Sequence, residues 1–182
     1  MGLAVLASGS GTLLEAILAA GLRPALVLSD RPCRALEVAA AAGFDTGCVR
    51  RVSFGPDFDR DGYTDAVVAS LKDRGVDTVA MAGFMTILGP AAFSTFPERV
   101  LNTHPSLLPA FPGAHAVRDA LAYGVRVTGC TVHLATEQVD HGPILAQESV
   151  PVLRHDDEAT LHERIKAVER RLYPSIIEEL LS

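Results

Sequence analysis

Leu3-Ala-Val-Leu-Ala-Ser-Gly-Ser-Gly-Thr12 is an apolar run followed by a glycine-rich turn, and it opens into a helical pattern over Thr12–Ala20. An unbroken apolar run is typical of a strand buried on both faces, and a helix directly after it indicates a βαβ unit. The alternation continues, with apolar runs at Ala25–Leu28 and Thr78–Ala82, a weaker run at Cys48–Val52, and helical patterns at Arg34–Ala42 and Asp59–Arg74. This half of the chain therefore predicts a parallel sheet.

The second half has a different pattern. Its predicted elements are a strand at Arg99–Thr103, a helix at Ala116–Tyr123, strands at Val125–Ala135 and Ile144–Val150, and a helix at Asp156–Leu181. Strict alternation over Val125–Ala135 predicts a half-exposed strand, to which Ile144–Val150 returns antiparallel. Pro174 predicts a kink or break in the last helix. Together the two halves predict an α/β fold: a Rossmann-like, mostly parallel sheet with helices on both faces and an antiparallel C-terminal hairpin.

The length and composition of the chain exclude several classes of protein. The 182 residues suit one domain, residues 1–182, with functional halves of about 1–100 and 101–182. A net charge of −6 argues against a nucleic-acid surface, and no apolar stretch is long enough for a membrane span. The three cysteines, Cys33, Cys48 and Cys130, lack metal or disulfide spacing, and the first residues do not have the pattern of a signal peptide. We therefore expect a cytoplasmic protein.

The glycine loop, which we define as Ser8–Thr12, is a candidate phosphate site. Unpaired N–H groups at a helix N-terminus attract anions, and glycines let an anion approach the backbone. A dinucleotide fingerprint needs a third glycine where Leu14 stands, so NAD is disfavoured even though Asp30 could imitate the acidic ribose-binding residue. A tight turn without a ligand explains the loop equally well at this point.

Asn102, His104 and Asp140 form a second constellation. Asn102 and His104, two apart on a predicted strand, point to the same side, and Asp140 follows the next strand in a tight turn. An amide N–H and a protonated imidazole can stabilise the oxyanion of an acyl-transfer intermediate. A neighbouring carboxylate favours the charged imidazole and can relay a proton. No serine or cysteine is placed as a nucleophile, so direct transfer is favoured over an acyl-enzyme.

The histidines also have plainer interpretations. A histidine before a proline is more often a packing or capping residue than a catalyst, and His133 on a sheet face is more simply a hydrogen-bonded core residue. A metal site that combines His104, His133, Asp140 and His141 matches no metal-binding spacing, so we expect no metal. The remaining histidines, His115, His155 and His162, are predicted to lie on the surface.

Six motifs carry a resemblance over nearly the whole chain. They are Ser-Gly-x-Gly-Thr at 8–12, Ala-Gly-Phe-Met at 82–85, Leu-Asn-Thr-His-Pro-Ser-Leu-Leu-Pro at 101–109, Gly-Cys-Thr-Val-His at 129–133, Asp-x-Gly-Pro-Ile at 140–144, and Glu169 to Pro174. In these the chain resembles the glycinamide ribonucleotide formyltransferases, a family of the folate-dependent formyltransferase superfamily. The resemblance implies that the formyl group of 10-formyltetrahydrofolate passes to the amine of 5′-phosphoribosylglycinamide in purine biosynthesis.

The resemblance also implies roles for particular residues. Asn102, His104 and Asp140 become the catalytic trio, with His104 as the general acid. The ribonucleotide would be bound by Gly11, Thr12, Leu13, Arg60, Lys166 and Glu169. The folate would be bound by Met85, Thr86, Ile87, Leu88 and Asn102, and by the loop residues Thr136, Glu137, Gln138, Val139 and Asp140. Leu13 and Thr86 depart from the family, which usually has Asn and often Arg at these positions.

Several alternatives stay open. A methionyl-tRNA formyltransferase is expected to carry an added RNA-binding domain and a basic surface. A formyltetrahydrofolate hydrolase is expected to carry an N-terminal regulatory domain. A folate- or phosphoribosyl-binding module without turnover would not need the whole trio. The expected partners are therefore the two small-molecule substrates, with no nucleic acid and no membrane, for a monomer or a homodimer.

Overall fold

The computed structural model describes all residues from Met1 to Ser182, which form seven strands and six helices. The strands are β1 (Leu3–Leu6), β2 (Leu26–Ser29), β3 (Thr46–Cys48), β4 (Thr78–Met81), β5 (Val100–His104), β6 (Val127–Leu134) and β7 (Ile144–Pro151). The helices are α1 (Thr12–Ala19), α2 (Arg34–Ala41), α3 (Arg60–Lys72), α4 (Pro90–Thr95), α5 (Ala116–Tyr123) and α6 (Glu158–Leu181). None of these helices combines the length and the apolar character that a membrane crossing requires.

All seven strands belong to one sheet in the order β3-β2-β1-β4-β5-β6-β7. The strands from β1 to β5 pair in parallel, whereas β6 runs antiparallel to both β5 and β7. The α/β fold and its antiparallel hairpin, both predicted from the sequence, are therefore confirmed. The strand order reverses direction between β1 and β4, and at such a switch point the carboxyl ends of the strands leave a crevice for ligands.

Helices cover both faces of the sheet. Side chains of α1, α2 and α6 pack on one face with alternate residues of β1, such as Val5, at their centre. Side chains of α3 and α4 pack on the other face, around Leu6 and its neighbours. Because β1 is buried on both faces, every residue of the strand is apolar.

The final helix, α6, runs unbroken from Glu158 to Leu181 and contains Pro174. A capping box starts it, since the Asp157 carboxylate accepts from the Thr160 N–H and the Thr160 hydroxyl accepts from the Asp157 N–H. The predicted break at Pro174 is wrong. Pro174 is buried, and the helical turns around it are held by core residues Tyr173 and Ile177, whose packing outweighs the lost backbone hydrogen bond.

The prediction that β6 is half exposed is also wrong, because six of its eight residues are buried. One face packs on α5 and α6, where Cys130 meets Leu161. The other face is covered by the proline-rich loop after β5. The Thr131 hydroxyl donates to the Ser106 carbonyl at 2.6 Å and accepts from the Leu108 N–H at 3.1 Å.

The third strand is displaced from its predicted position at Cys48–Val52. It covers Thr46–Cys48 and pairs with β2. Val49 and Arg51 still donate to the Ser29 and Asp30 carbonyls at 3.0 and 2.9 Å, but the regular strand ends at Cys48 and Val52 is 89% exposed. The chain turns away there towards α3.

Candidate functional site

The glycine loop lies at the carboxyl end of β1, and Gly11 is the N-cap of α1. Gly11 has φ +77°, and a Cβ there would lie 2.9 Å from the Cα of Ala35, so both backbone conformation and the neighbouring helix require glycine. The N–H groups of residues 9–14 donate to no group of the protein. Consecutive free amides at a helix N-terminus are the donor set of an anion site.

Thr12 and Leu13 follow Gly11 in the first turn of α1, and they differ in what they can offer a ligand. The Leu13 side chain is buried in the core, so only its backbone N–H is free to bind a ligand. Thr12 is half-buried. The family usually has Asn at position 13; here any contact at that position is limited to the main chain.

Lys166 and Glu169 lie one turn apart on α6, which packs beside α1. Burial raises the pKa of the Glu169 carboxyl, and hydrogen bonding to the Thr103 hydroxyl and the charges of Lys166 and Arg170 only partly oppose this effect. Thr103 belongs to β5. The α6 residues therefore lie on the α1 face of the sheet, next to the central strands.

Arg60 is separated from the other residues that the sequence assigned to the ribonucleotide. It begins α3, which covers the opposite face of the sheet from α1. One turn further on, the Thr64 hydroxyl accepts from the Gly89 N–H at 2.7 Å. Gly89 directly follows the segment 85–88, which the sequence assigned to the folate. No hydrogen bond or ion pair joins Arg60 to the glycine loop.

The polar centre of the crevice consists of four side chains. His104 Nδ1 lies 3.3 Å from Asp140 Oδ2, and His133 Nε2 lies 3.7 Å from Asp140 Oδ1. Asn102 Nδ2 lies 3.4 Å from His133 Nε2. The side chains of His104 and Asp140 are only 6% and 5% exposed, so their contact is shielded from solvent. Antiparallel pairing sets Asn102 opposite His133 in the sheet.

The contacts of His104 fix the orientation of its ring. Its Nδ1 faces a carboxylate oxygen of Asp140 at 3.3 Å, and its Nε2–H donates to the Phe111 carbonyl oxygen at 2.8 Å. A carbonyl oxygen only accepts hydrogen bonds, so the Nε2 atom carries a proton. A substrate oxygen that accepts from Nε2 has to replace the Phe111 carbonyl.

His133 has the opposite character. Burial is the main factor that lowers the pKa of His133, so the ring is neutral near pH 7. Its Nδ1 donates to the Leu134 carbonyl at 3.0 Å, which leaves the Nε2 lone pair to accept from the Asn102 amide. His133 therefore orients Asn102 and is not itself poised as an acid.

Asp140 lies in the turn between β6 and β7, which places its side chain in the polar centre. Asp140 has φ +58°, a conformation that aspartate tolerates better than most residues. Its Oδ2 accepts from the Gly113 N–H at 2.8 Å, which ties the turn to the proline-rich loop. Gly142 lies so close to the Leu134 carbonyl that a Cβ has no room there.

An open cavity of about 110 Å³ adjoins the polar centre on the α3 and α4 face. Asn102, His133 and Asp140 form its polar wall. Eight of its thirteen lining residues are hydrophobic, which suits a flat aromatic ligand with one polar edge. The remaining lining residues are Met81, Phe84, Met85, Thr86, Ile87, Leu88, Phe93, Ala135, Thr136 and Val139.

These lining residues can be compared with the folate residues expected from the sequence. All of the expected ones border the cavity except Glu137 and Gln138, which are exposed in the 136–140 loop. Thr86, where the family often has Arg, is buried and donates to Asp30 Oδ2 at 2.8 Å, and Arg31 forms a bidentate pair with the same carboxylate. Burial alone would raise the pKa of Asp30, but its hydrogen bonds to Arg31 and Thr86 outweigh that effect and lower it.

The two regions are joined by Ser8. Its hydroxyl accepts from the Met85 N–H at 2.9 Å, and its N–H donates to the Gly83 carbonyl at 3.2 Å. Ser8 belongs to the glycine loop and Met85 to the cavity wall. The free amides and the cavity are therefore held at the same edge of the sheet.

Sequence reasoning missed several contributors to the site. Residue type offers no clue to two of them, because the Phe111 carbonyl and the Gly113 N–H are main-chain groups that any residue can supply. His133 was interpreted as a core histidine, and its contact with Asn102 follows only from the β5–β6 register. The stiff, proline-rich loop at 105–112 was the one available signal, since it follows His104 directly and leads to these groups.

Comparison with known proteins identifies the family of the chain. The Formyl transferase family matches residues 1–177 of the chain. The chain belongs to this family. A phosphoribosylglycinamide formyltransferase from Mycobacterium tuberculosis is 53% identical in an alignment that covers 98% of this chain and 84% of that protein. One from Bacillus subtilis is 35% identical over 98% of this chain and 93% of that protein.

Solved structures of family members have the same fold. The glycinamide ribonucleotide transformylase 1 of Symbiobacterium toebii superposes with a TM-score of 0.91 at 45% identity, covering 97% of this chain and 85% of that chain. The phosphoribosylglycinamide formyltransferase of Streptococcus pneumoniae gives a TM-score of 0.91 at 35% identity, covering 100% and 99%. As a family member, the chain is a formyltransferase that depends on a formyl-folate co-substrate.

Proposed function

We propose that this formyltransferase moves the formyl group of 10-formyltetrahydrofolate to the amine of 5′-phosphoribosylglycinamide, which yields formylglycinamide ribonucleotide for purine biosynthesis. The observation that carries the proposal is the buried His104–Asp140 pair with Asn102 beside it, on the wall of an apolar cavity. The free amides of the glycine loop at the same sheet edge support a phosphorylated acceptor. The names of the relatives support the same reaction.

The acceptor is proposed to lie on the α1 face. Its phosphate receives hydrogen bonds from the N–H groups of Gly11, Thr12 and Leu13, with Lys166 as a nearby cation. Glu169 holds the ribose or glycinamide end. Arg60 is proposed to serve the folate instead, because α3 adjoins the segment 85–88 and not the glycine loop.

The donor is proposed to occupy the cavity. Its pterin lies against the backbone and side chains of residues 85–88 and against the 136–140 loop. Glu137 and Gln138 contribute through the main chain of that loop, where the Thr136 hydroxyl donates to the Gln138 carbonyl at 3.0 Å. The formyl group then points at Asn102 and His104.

The proposed chemistry is direct transfer. The glycinamide amine attacks the formyl carbon, and negative charge develops on the formyl oxygen. The Asn102 N–H and the His104 Nε2–H donate to that oxygen, the latter after the oxygen replaces the Phe111 carbonyl at Nε2. The bond between the formyl carbon and the folate nitrogen then breaks, and Asp140, which orients His104, takes part in moving the amine proton to that nitrogen.

Other properties follow as part of the proposal. The chain works as one domain over residues 1–182, in the cytoplasm, as a monomer or a homodimer. His104 supplies the electrophilic assistance for which other enzymes use a metal, so turnover is expected to persist after treatment with a chelator. No nucleic acid or membrane takes part.

The deciding experiment is an assay of the purified chain with 10-formyltetrahydrofolate and 5′-phosphoribosylglycinamide, monitored by loss of the formyl-folate and by mass of the product. Formylglycinamide ribonucleotide is the expected product. Water as the sole acceptor is the control, since release of formate without the ribonucleotide would identify a hydrolase. Binding of both ligands without turnover would identify a non-catalytic module and overturn the proposal.

A further inference from the structure

Arg34, the first residue of α2, contacts the glycine loop directly. Its Nη1 donates to the Ser10 carbonyl oxygen at 2.7 Å, and its Nη2 donates to Glu15 Oε1 at 2.8 Å. The Arg34 and Glu15 side chains are 55% and 43% exposed. One guanidinium therefore links the glycine loop, the first turn of α1 and the start of α2.

The contact with Ser10 determines where the next amide points. In a planar trans peptide the C=O of one residue and the N–H of the next point in opposite directions. Because the Ser10 carbonyl faces Arg34, the Gly11 N–H faces away from it. The Gly9 carbonyl likewise accepts from the Ala35 N–H at 3.1 Å, which turns the Ser10 N–H away from α2. Both amides are among those with no acceptor in the protein.

The contact with Glu15 affects the charge near the same donors. Glu15 is the acidic residue in the first turn of α1. A carboxylate at that position repels an anion at the helix N-terminus. Arg34 pairs with this carboxylate and thereby offsets its charge close to the free amides.

We propose that Arg34 is a positioning residue for the phosphate group of the ribonucleotide: it holds the Ser10 peptide so that the Gly11 N–H faces the phosphate, and it neutralises Glu15. This inference rests on the proposed function, and it adds a residue that neither the motifs nor the trio includes. Arg34 acts through the backbone and takes no part in the transfer step.

The test is steady-state kinetics of Arg34→Ala with both substrates varied. The KM for the ribonucleotide is expected to rise about tenfold, as for one partly exposed charge-assisted hydrogen bond, while kcat and the KM for the folate stay unchanged. Arg34→Lys is expected to recover part of the loss. Arg118→Ala is the matched control, since the Arg118–Asp119 pair has similar exposure, 56% and 45%, and lies on α5.

A second readout separates this inference from the proposed reaction. Isothermal titration with ribose 5-phosphate measures phosphate binding without turnover, and Arg34→Ala is expected to weaken it about tenfold relative to the Arg118→Ala control. Weaker binding by Arg34→Ala supports the inference even if the wild-type chain transfers no formyl group. Equal Kd values for wild type and Arg34→Ala, no binding by the wild type, or a parallel loss in both KM values and kcat would each overturn it.

Discussion

His104 lies between the Asp140 carboxylate, which faces its Nδ1, and the Phe111 carbonyl, to which its Nε2–H donates. The neighbouring His133 is also buried, and burial lowers the pKa of its imidazole. Its Nδ1 donates to the Leu134 carbonyl and its Nε2 accepts from the Asn102 amide. The two histidines thus face the same carboxylate with different hydrogen-bond partners, which lie on separate segments of the chain.

Replacing His104 or Asp140 tests the role of this pair. His104→Ala and Asp140→Ala are each expected to lower kcat by about 10²-fold or more, because general acid catalysis and oxyanion stabilisation are lost together. Ligand binding, measured by titration, is expected to stay largely intact. His115→Ala, an exposed histidine, serves as the control. Near-normal turnover in both variants would contradict the proposed mechanism.

Glu169 provides a prediction about stability and pH. Its pKa is raised by burial in the folded chain, so the unfolded chain loses this proton first as the pH rises above about 4.5. The free energy of unfolding therefore falls as the pH rises from the Glu169 pKa of the unfolded chain through that of the folded chain. Glu169→Gln removes this loss of stability. The variant is expected to have a higher Tm than wild type at pH 7, and the difference is expected to disappear at about pH 4.

The control for this prediction is Glu163→Gln. Glu163 is exposed, and its bond to Arg170 lowers its pKa, so the sign of its contribution is reversed. This variant is expected to be no more stable than wild type at pH 7. If Glu169→Gln were the less stable of the two at pH 7, the burial argument would be wrong.

At the scale of elements, local sequence patterns predicted the parallel strands, the hairpin and five of the six helices, but they missed the short helix α4 (Pro90–Thr95). The α5 bounds, Ala116–Tyr123, agree residue for residue. The errors arose where a distant partner decides the outcome. Alternation in β6 could not reveal the loop that covers its second face, and Pro174 is tolerated through core contacts made far along the chain.

The same distinction applies to the site. Asn102, His104 and Asp140 are side chains with recognisable chemistry, and sequence reasoning selected them for the site. The Phe111 carbonyl and the free amides of residues 9–14 are backbone groups, so only the fold reveals which of them face the crevice. Arg60 shows a related limit: the sequence does not say which face of the sheet α3 covers, and the fold places Arg60 away from the glycine loop.

The start of α6 gives a prediction at this scale. Asp157→Ala removes the carboxylate that accepts from the Thr160 N–H, and it is expected to lower the Tm by about 2–4 °C, as the loss of one N-cap does in a domain of this size. Thermal denaturation followed by circular dichroism measures the change. Asp157→Ser, which keeps an oxygen at the cap, is expected to retain most of the stability; an equal loss in both variants would mean that the hydrogen bond to the cap oxygen is not the source of the stabilisation.

At the scale of the whole molecule, the hydrophobic core contains residues from both halves of the chain. One buried cluster unites Leu3, Val5 and Ala80 from the first half with Val132 and Tyr173 from the second. The Tyr173 hydroxyl also donates to the Leu101 carbonyl at 3.0 Å. Both halves of the chain therefore contribute side chains to this core.

Unfolding is therefore expected to be a single cooperative transition. Calorimetry of the full chain is expected to give equal calorimetric and van't Hoff enthalpies, because residues 1–100 and 101–182 share one core. Two resolved transitions would show that the halves fold independently, contrary to the single-domain proposal.

The Ser8–Met85 hydrogen bond and the strand order together determine how far apart the donor and the acceptor of the formyl group bind. Only β4 separates β1 from β5, so the ends of these strands lie about 10 Å apart at the usual interstrand spacing. In the proposed reaction the acceptor docks at the first end and the donor at the second. The spacing of the strands thus sets the distance between donor and acceptor in the proposed reaction. No hinge motion is needed to bring the two reactants together.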